Sequence, residues 1–170
     1  MYTLGERLDD LRLIAATDDG AVTAILTQRT NLRLQFAPGA YRRRTDAQLE
    51  FDLRVIATRL WVARTRAYYE ALSDIKGEKI TTERPAYGSR SQQYRTERAD
   101  LTAHGACADN RIKVRVHGLR DWDVSIQPGT TAALSADEFV DRVGQATRSL
   151  LDDLQGKVRE LKRRILSETR

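Results

Sequence analysis

Ala21-Val22-Thr23-Ala24-Ile25-Leu26 and Arg111-Ile112-Lys113-Val114-Arg115-Val116 stand ninety residues apart and share one pattern of apolar positions. Val22 falls on Ile112, Ala24 on Val114 and Leu26 on Val116. Continued without a gap, Leu32, Leu34 and Phe36 fall on Trp122, Val124 and Ile126, and Pro38-Gly39 on Pro128-Gly129. Farther on, Thr45 meets Ser135, Leu49 meets Phe139, Leu53 meets Val143 and Leu60 meets Leu150. A match held over about forty positions is the mark of one supersecondary unit used twice.

Within the second copy, Ile112, Val114 and Val116 alternate with Lys113, Arg115 and His117. Trp122, Val124 and Ile126 alternate in the same way with Asp121, Asp123 and Ser125. Period two with one polar face is the pattern of half-buried antiparallel strands. Matching the apolar faces across Gly118-Leu119-Arg120 sets Val116 opposite Trp122, because a slip of one residue would invert every side chain. Arg115 then faces Asp123, and His117 faces Asp121. The first copy pairs Val22, Ala24 and Leu26 with Leu32, Leu34 and Phe36 across Gln28-Arg29-Thr30. A weaker strand candidate precedes each hairpin, at Leu11 to Thr17 and Leu101 to Ala106.

Each Pro-Gly ends a hairpin and a long helix follows it. Thr45-Asp46-Ala47-Gln48 and Ser135-Ala136-Asp137-Glu138 are both capping boxes. Leu49, Leu53, Ile56, Leu60 and Ala67 form a core stripe on the first helix. Leu151, Leu154, Val158, Leu161 and Ile165 step by three and four on the second, a short heptad seam expected to pack on the first helix. Residues 89–99 are expected to form a polar helix, a role for which the first half has only Tyr2 to Asp9. The expected fold class is α+β: two tandem repeats of a short helix, a three-stranded antiparallel sheet and a long helix, forming an intrachain pseudo-dimer. The repeats are placed at 1–75 and 89–170, with 76–88 as linker.

Composition narrows the function classes. Cys107 is the one cysteine, so no internal disulfide forms and a reducing compartment is expected. No apolar run approaches the ~20 residues of a membrane span, and Met1 to Arg7 lacks a signal-peptide pattern. A cytoplasmic protein without membrane contact is therefore expected. Net charge is +5, from 29 basic and 24 acidic residues. That balance permits contact with nucleic acid or an acidic partner, and an Arg bias with abundant Ala is also what a GC-rich genome produces.

The order of helix, three antiparallel strands and long helix resembles the YbaB/EbfC family of bacterial nucleoid-associated proteins. In the second half the likeness rests on Leu101 to Ala106, Ile112-Lys113-Val114-Arg115-Val116-His117-Gly118 and Val124-Ser125-Ile126-Gln127-Pro128; in the first, on Ala21 to Leu26 and Leu34-Gln35-Phe36-Ala37-Pro38. The resemblance implies a non-enzymatic protein of the cytoplasmic nucleoid that binds DNA with little sequence preference. A fused tandem copy would hold the family's dimer inside one chain and leave that chain monomeric. Actinobacterial relatives of this fold include accessory proteins of type VII (ESX) secretion, which act through protein contacts. A cytoplasmic interaction scaffold or chaperone is thus the alternative expectation.

Candidate binding residues for DNA or an acidic protein partner are basic. Arg42, Arg43 and Arg44 follow the first Pro-Gly, beside a helix start where cations oppose the dipole. Guanidinium forks pair bidentately with phosphate; the plainer alternative is a solvated loop. Arg54, Arg59, Arg64 and Arg66 lie on the first helix and extend this patch, or simply solvate it. Arg111, Lys113 and Arg115 make a basic strand face that Asp121 and Asp123 would partly neutralise. Trp61, Tyr68 and Tyr69 are spaced for packing against the sheet or the other unit, with base stacking as the alternative, and Trp122 opens a strand on the core face. His104 and Cys107 lack the further ligands of a zinc set, and no nucleophile elbow or phosphate-binding glycine loop occurs. No catalytic residue, cofactor or metal is expected.

Overall fold

A computed structural model describes residues 3–167. The elements are α1 (Leu4–Asp9), β1 (Arg12–Ala16), β2 (Val22–Thr27), β3 (Asn31–Phe36), α2 (Ala40–Arg43), α3 (Asp46–Lys76), α4 (Ser89–Ala99), β4 (Thr102–Ala106), β5 (Ile112–His117), β6 (Asp121–Ile126), α5 (Thr130–Ala133) and α6 (Ala136–Leu166). The protein is α+β, with two three-stranded antiparallel sheets ordered β1-β2-β3 and β4-β5-β6. From β1 to α3, each element bound lies ninety residues before that of its counterpart from β4 to α6. Helices α1 and α4 end ninety apart, but α4 starts earlier. Tyr2 lies outside the described residues.

Register follows the apolar faces. Val116 opposes Trp122, Arg115 opposes Asp123 and His117 opposes Asp121. Leu26 opposes Leu32, and Val22 opposes Phe36. Both long helices begin with a closed capping box, Thr45 with Gln48 and Ser135 with Glu138. The reciprocal bonds satisfy two backbone N–H groups that the first helical turn leaves free.

Each long helix lies across both sheets. Helix α3 packs on β1 and on β6, and α6 packs on β4, β5 and β3. Leu49 and Phe139, ninety apart, are both fully buried in a shared core with Val22, Ala24, Ile112 and Ile126. Contacts also cross between halves near the helix starts. The Asp46 carboxylate accepts from the Gly129 and Thr131 N–H groups, Glu50 accepts from Ile126 N–H, and the Tyr41 hydroxyl donates to the Leu134 carbonyl.

The α6 seam packs differently from its sequence expectation. Leu150, Leu154 and Val158 close on Ala103 and Val116 of the β4–β5 sheet, and the last turns of α6 lie against α4. An Arg164–Glu97 ion pair ties that second contact. The heptad spacing does mark a buried face; a sheet and a short helix cover it rather than α3.

One glycine decides how closely α6 approaches. A Cβ on Gly105 would stand 2.3 Å from the Leu150 nitrogen, so the helix backbone rests directly on β4. Its side chains then reach the strand's outer edge. Asp153 accepts from His104 N–H, Ser149 from Ala106 N–H and Gln145 from Ala108 N–H, while Lys157 donates to the Thr102 carbonyl. A strand edge is otherwise a template for unwanted pairing. The counterpart of Gly105 is Ala15, and the α3 counterparts of those four residues are Val55, Arg59, Ala63 and Ala67. Of these, Arg59 bonds the β1 edge, at the Ala16 carbonyl.

Candidate functional site

The outer face of α3 separates the two long helices chemically. Phe51, Val55, Thr58, Val62, Thr65, Tyr69 and Leu72 step by four and three, which keeps them on one side of a helix. Phe51 is 60% exposed and Val62 is 53% exposed. The same positions on α6 are Asp141, Gln145, Arg148, Asp152, Gln155, Arg159 and Lys162, all polar. A polar outer face is what solvent dictates for a helix whose other side is buried; α3 departs from that rule over about three turns or more.

The C-terminal end of this stripe meets the linker. Tyr69, Leu72, Ile80, Thr82 and Arg84 line one shallow depression. The Ser73 hydroxyl donates to the Ile80 carbonyl and accepts from Ile80 N–H. Beside it, Trp61, Val62, Tyr69, Ile80, Leu119 and Arg120 border a groove of about 730 Å³. Toward the helix N-terminus Phe51, Thr58 and Val62 are exposed and Val55 is half-buried.

Arginines flank it. Arg54 and Arg66 are exposed on α3, and Arg54 lies 6.0 Å from the Phe51 ring centroid. Among the described residues neither has a carboxylate within ion-pair distance. Arg59 is on the same flank as Arg66, but it pairs with Asp18 at 2.5 Å. Arg64 is half-buried, 5.4 Å from the Trp61 ring, and burial followed by the Arg29 charge pushes its guanidinium below the ordinary range.

The Arg42-Arg43-Arg44 cluster resolves into two roles. Arg42 and Arg43 form the last turn of α2, where cations complement the helix dipole; the segment is a helical turn rather than a loop. Both are exposed. Arg44 turns inward, 2.5 Å from Asp19 and 3.5 Å from the buried Asp52. The Ala21 N–H, the Thr17 hydroxyl and Arg44 together hold the Asp19 carboxyl down at about 2. Burial pushes Asp52 up.

The strand-face cations are similarly divided. Arg111 lies before β5 and is 3.6 Å from Asp109. Arg115 faces Asp123 at 3.9 Å, and Lys113 is exposed. Thus Arg44, Arg59, Arg111 and Arg115 already meet carboxylates, and the exposed Arg42, Arg43, Arg54, Arg66 and Lys113 are spread over α2, α3 and the second sheet.

Cys107 is buried, its thiol donating to Asp109, and burial pushes its pKa up, away from the reactive thiolate. Among the described residues, no three His, Cys, Asp or Glu converge to hold a metal ion, and no helix is long and apolar enough to cross a membrane.

No family model matches the chain, and a comparison with curated proteins finds no match either. The functional argument therefore rests on the stripe and its flanks. Phe51 and Val62 fall on a four-three spacing of their own, but the core stripe Leu49, Leu53, Ile56 and Leu60 on another face of the same helix takes up the apolar count first.

Proposed function

We propose that this chain is a protein-interaction scaffold that docks an amphipathic helix with acidic flanks along α3. The observation that carries the reading is the pair of exposed apolar side chains Phe51 and Val62, with the half-buried Val55 between them, opposite in character to Asp141, Gln145 and Asp152 on α6. A helix laid in such a row buries apolar side chains at three-four spacing. Arg54 and Arg66 on the flanks suit acidic residues at the corresponding partner positions. Accessory work in type VII (ESX) secretion is one setting for such a scaffold.

The same proposal takes the chain as a YbaB/EbfC-like pair fused into an intrachain pseudo-dimer. The ninety-residue offset of the element bounds and the lie of each long helix across both sheets support it. A fused pair is a monomer in sedimentation at micromolar concentration. A tight dimer that dissociates on Val62→Lys would reassign the stripe to a second copy of the chain.

The probe for docking is a synthetic amphipathic helix of about three heptads, Leu along its seam and Glu on both flanks. It is expected to bind wild-type protein and to lose at least tenfold in affinity against Val62→Lys. Equal binding to the variant would reject the site, and equal binding of a Lys-flanked peptide would reject the role of Arg54 and Arg66.

DNA binding without sequence preference is the second reading, favoured by the exposed Arg42 and Arg43 on α2. Replacing both with Ala is expected to weaken every duplex alike and lower the salt slope by roughly one to two units. No duplex binding at ~50 mM salt, where phosphate contacts are strongest, would reject it.

A further inference from the structure

The two sheets close their outer edges unequally. Thr17 N–H donates to the Val22 carbonyl at 2.9 Å. The odd-numbered residues of β1 therefore bond β2, and by alternation Arg12, Ile14 and Ala16 turn their N–H and C=O groups away from it. The matching groups of β4 are the ones that Asp153, Ser149 and Lys157 engage. On β1 the Arg59 guanidinium takes the Ala16 carbonyl. Among the described residues, no side chain accepts from the Ile14 or Ala16 N–H. Ala63 and Ala67 stand where α6 has Asp153 and Lys157, and neither has a polar group to offer. The register of β1 on β2 runs without interruption from Arg12 to Ala16, so neither a bulge nor a proline blunts this edge.

The sheet face beside the edge differs in the same direction. Ile14, Ile25 and Arg33 stand in one row across the first sheet. Their counterparts His104, Arg115 and Asp123 make the same row in the second. Ile14 is 53% exposed and Ile25 is half-buried. A sheet face turned to solvent is ordinarily polar, as that of the second sheet is. Charge separates the two faces as well. Arg115 meets Asp123 across the second sheet. The outer face of the first carries the exposed Arg12 and Arg33 and no acidic residue. Among the described residues, neither arginine has a carboxylate within ion-pair distance.

We propose that the β1 edge binds an extended peptide segment of a partner protein, which adds a fourth strand to the first sheet with an apolar residue beside Ile14 and a carboxylate beside Arg12. Pairing with the outward backbone groups of Arg12, Ile14 and Ala16 supplies the hold, and alternate side chains supply the selectivity. Side chains on one face of a strand recur every second residue, so the apolar and acidic positions of the segment stand two residues apart. An added strand also answers the backbone groups that α3 leaves without a side chain. This site is independent of the helix docked on α3, which has its own probe and its own variant.

The probe is the capped peptide Thr-Glu-Thr-Val-Thr-Glu-Thr, which sets Glu on both sides of Val on one face and so reads alike in either direction. It is added to the full chain, and amide exchange is followed residue by residue. At about 1 mM peptide, exchange at Ile14 and Ala16 is expected to slow at least tenfold, with His104 and Ala106 unchanged. Methylating the Val nitrogen removes the N–H that faces β1 and should abolish the slowing. Ile14→Pro removes the matching donor of the protein, and the slowing at Ala16 should be lost. Arg12→Glu keeps the backbone intact and should invert the charge preference. It should bind the Glu peptide about threefold more weakly, and a peptide with Lys in place of both Glu about threefold more tightly, the range of an exposed ion pair. No slowing at about 1 mM, equal slowing by the methylated peptide, or an unchanged charge preference in Arg12→Glu would each overturn the proposal. So would a dimer in sedimentation without peptide that Ile14→Pro dissociates, because a second copy of the chain would then hold the edge.

Discussion

Asp52 on α3 and Arg142 on α6 occupy positions ninety residues apart and serve the same turn with opposite charge. Arg142 reaches Asp109, in the turn before β5, at 3.0 Å. Asp52 cannot pair with Asp19 in the turn before β2, and Arg44 joins the two, 2.5 Å from Asp19 and 3.5 Å from Asp52. The counterpart of Arg44 is Leu134, which needs no charge because Arg142 supplies it. The two halves thus reach one electrostatic arrangement by exchanging which element carries the cation.

That exchange predicts a rescue. Arg44→Leu strands the buried Asp52 without a cation and is expected to cost about 2 kcal/mol, a fall in melting temperature of roughly 4–8 °C. Adding Asp52→Arg copies the second half and should recover most of it. A double variant no more stable than the single one would show that the two turns are not held alike.

The strand edges predict an amide-exchange contrast. His104 and Ala106 N–H groups are bonded by Asp153 and Ser149, so they should exchange slowly. Ile14 and Ala16, whose helix counterparts are Ala63 and Arg59, should exchange faster. Asp153→Ala should speed exchange at His104 and destabilise the fold by at most about 1 kcal/mol, since the carboxylate is part-exposed. Equal protection of both edges would contradict the helix-side ladder.

Acid stability follows from the turn aspartates. Asp19 and Asp109 titrate at about 2 in the folded chain, Asp19 held first by Ala21 N–H and Asp109 first by the Cys107 thiol and then by Arg142. Unfolded carboxyls of this kind titrate near ~3.9. A depressed folded value means the stabilisation is present above the unfolded value and is lost as pH falls from about 4 through about 2. Asp52, raised by burial, acts in the opposite sense. The urea midpoint should therefore drop across that acid window, and Asp109→Asn should flatten the drop. An identical acid limb in the variant would remove Asp109 from the explanation.

Strand register, hairpin loops and capping boxes were all legible in the sequence, because each depends on local spacing: Val116 against Trp122, Thr45 with Gln48. What covers a given face was not. The Leu154–Val158–Leu161 seam looks the same whether a helix or a sheet lies over it, and Gly105, the residue that lets α6 onto β4, is a single small residue in a strand. At the candidate site, the basic residues were visible but not their partners: Arg44 and Arg59 meet aspartates 25 and 41 residues away in sequence. Phe51 and Val62 share α3 with a core stripe, and only burial distinguishes the two faces.

The docking face is the centre of the functional account, and site-specific photo-crosslinking in cells tests it most directly. A photoreactive phenylalanine analogue at Val62 is compared with the same group at Asp152, its counterpart on α6. Trapping at Val62, with the crosslinked peptide mapping to a helical segment that has an apolar seam and acidic flanks, and no trapping at Asp152, is the predicted result. Equal trapping at the two positions, or none at Val62, would contradict the account.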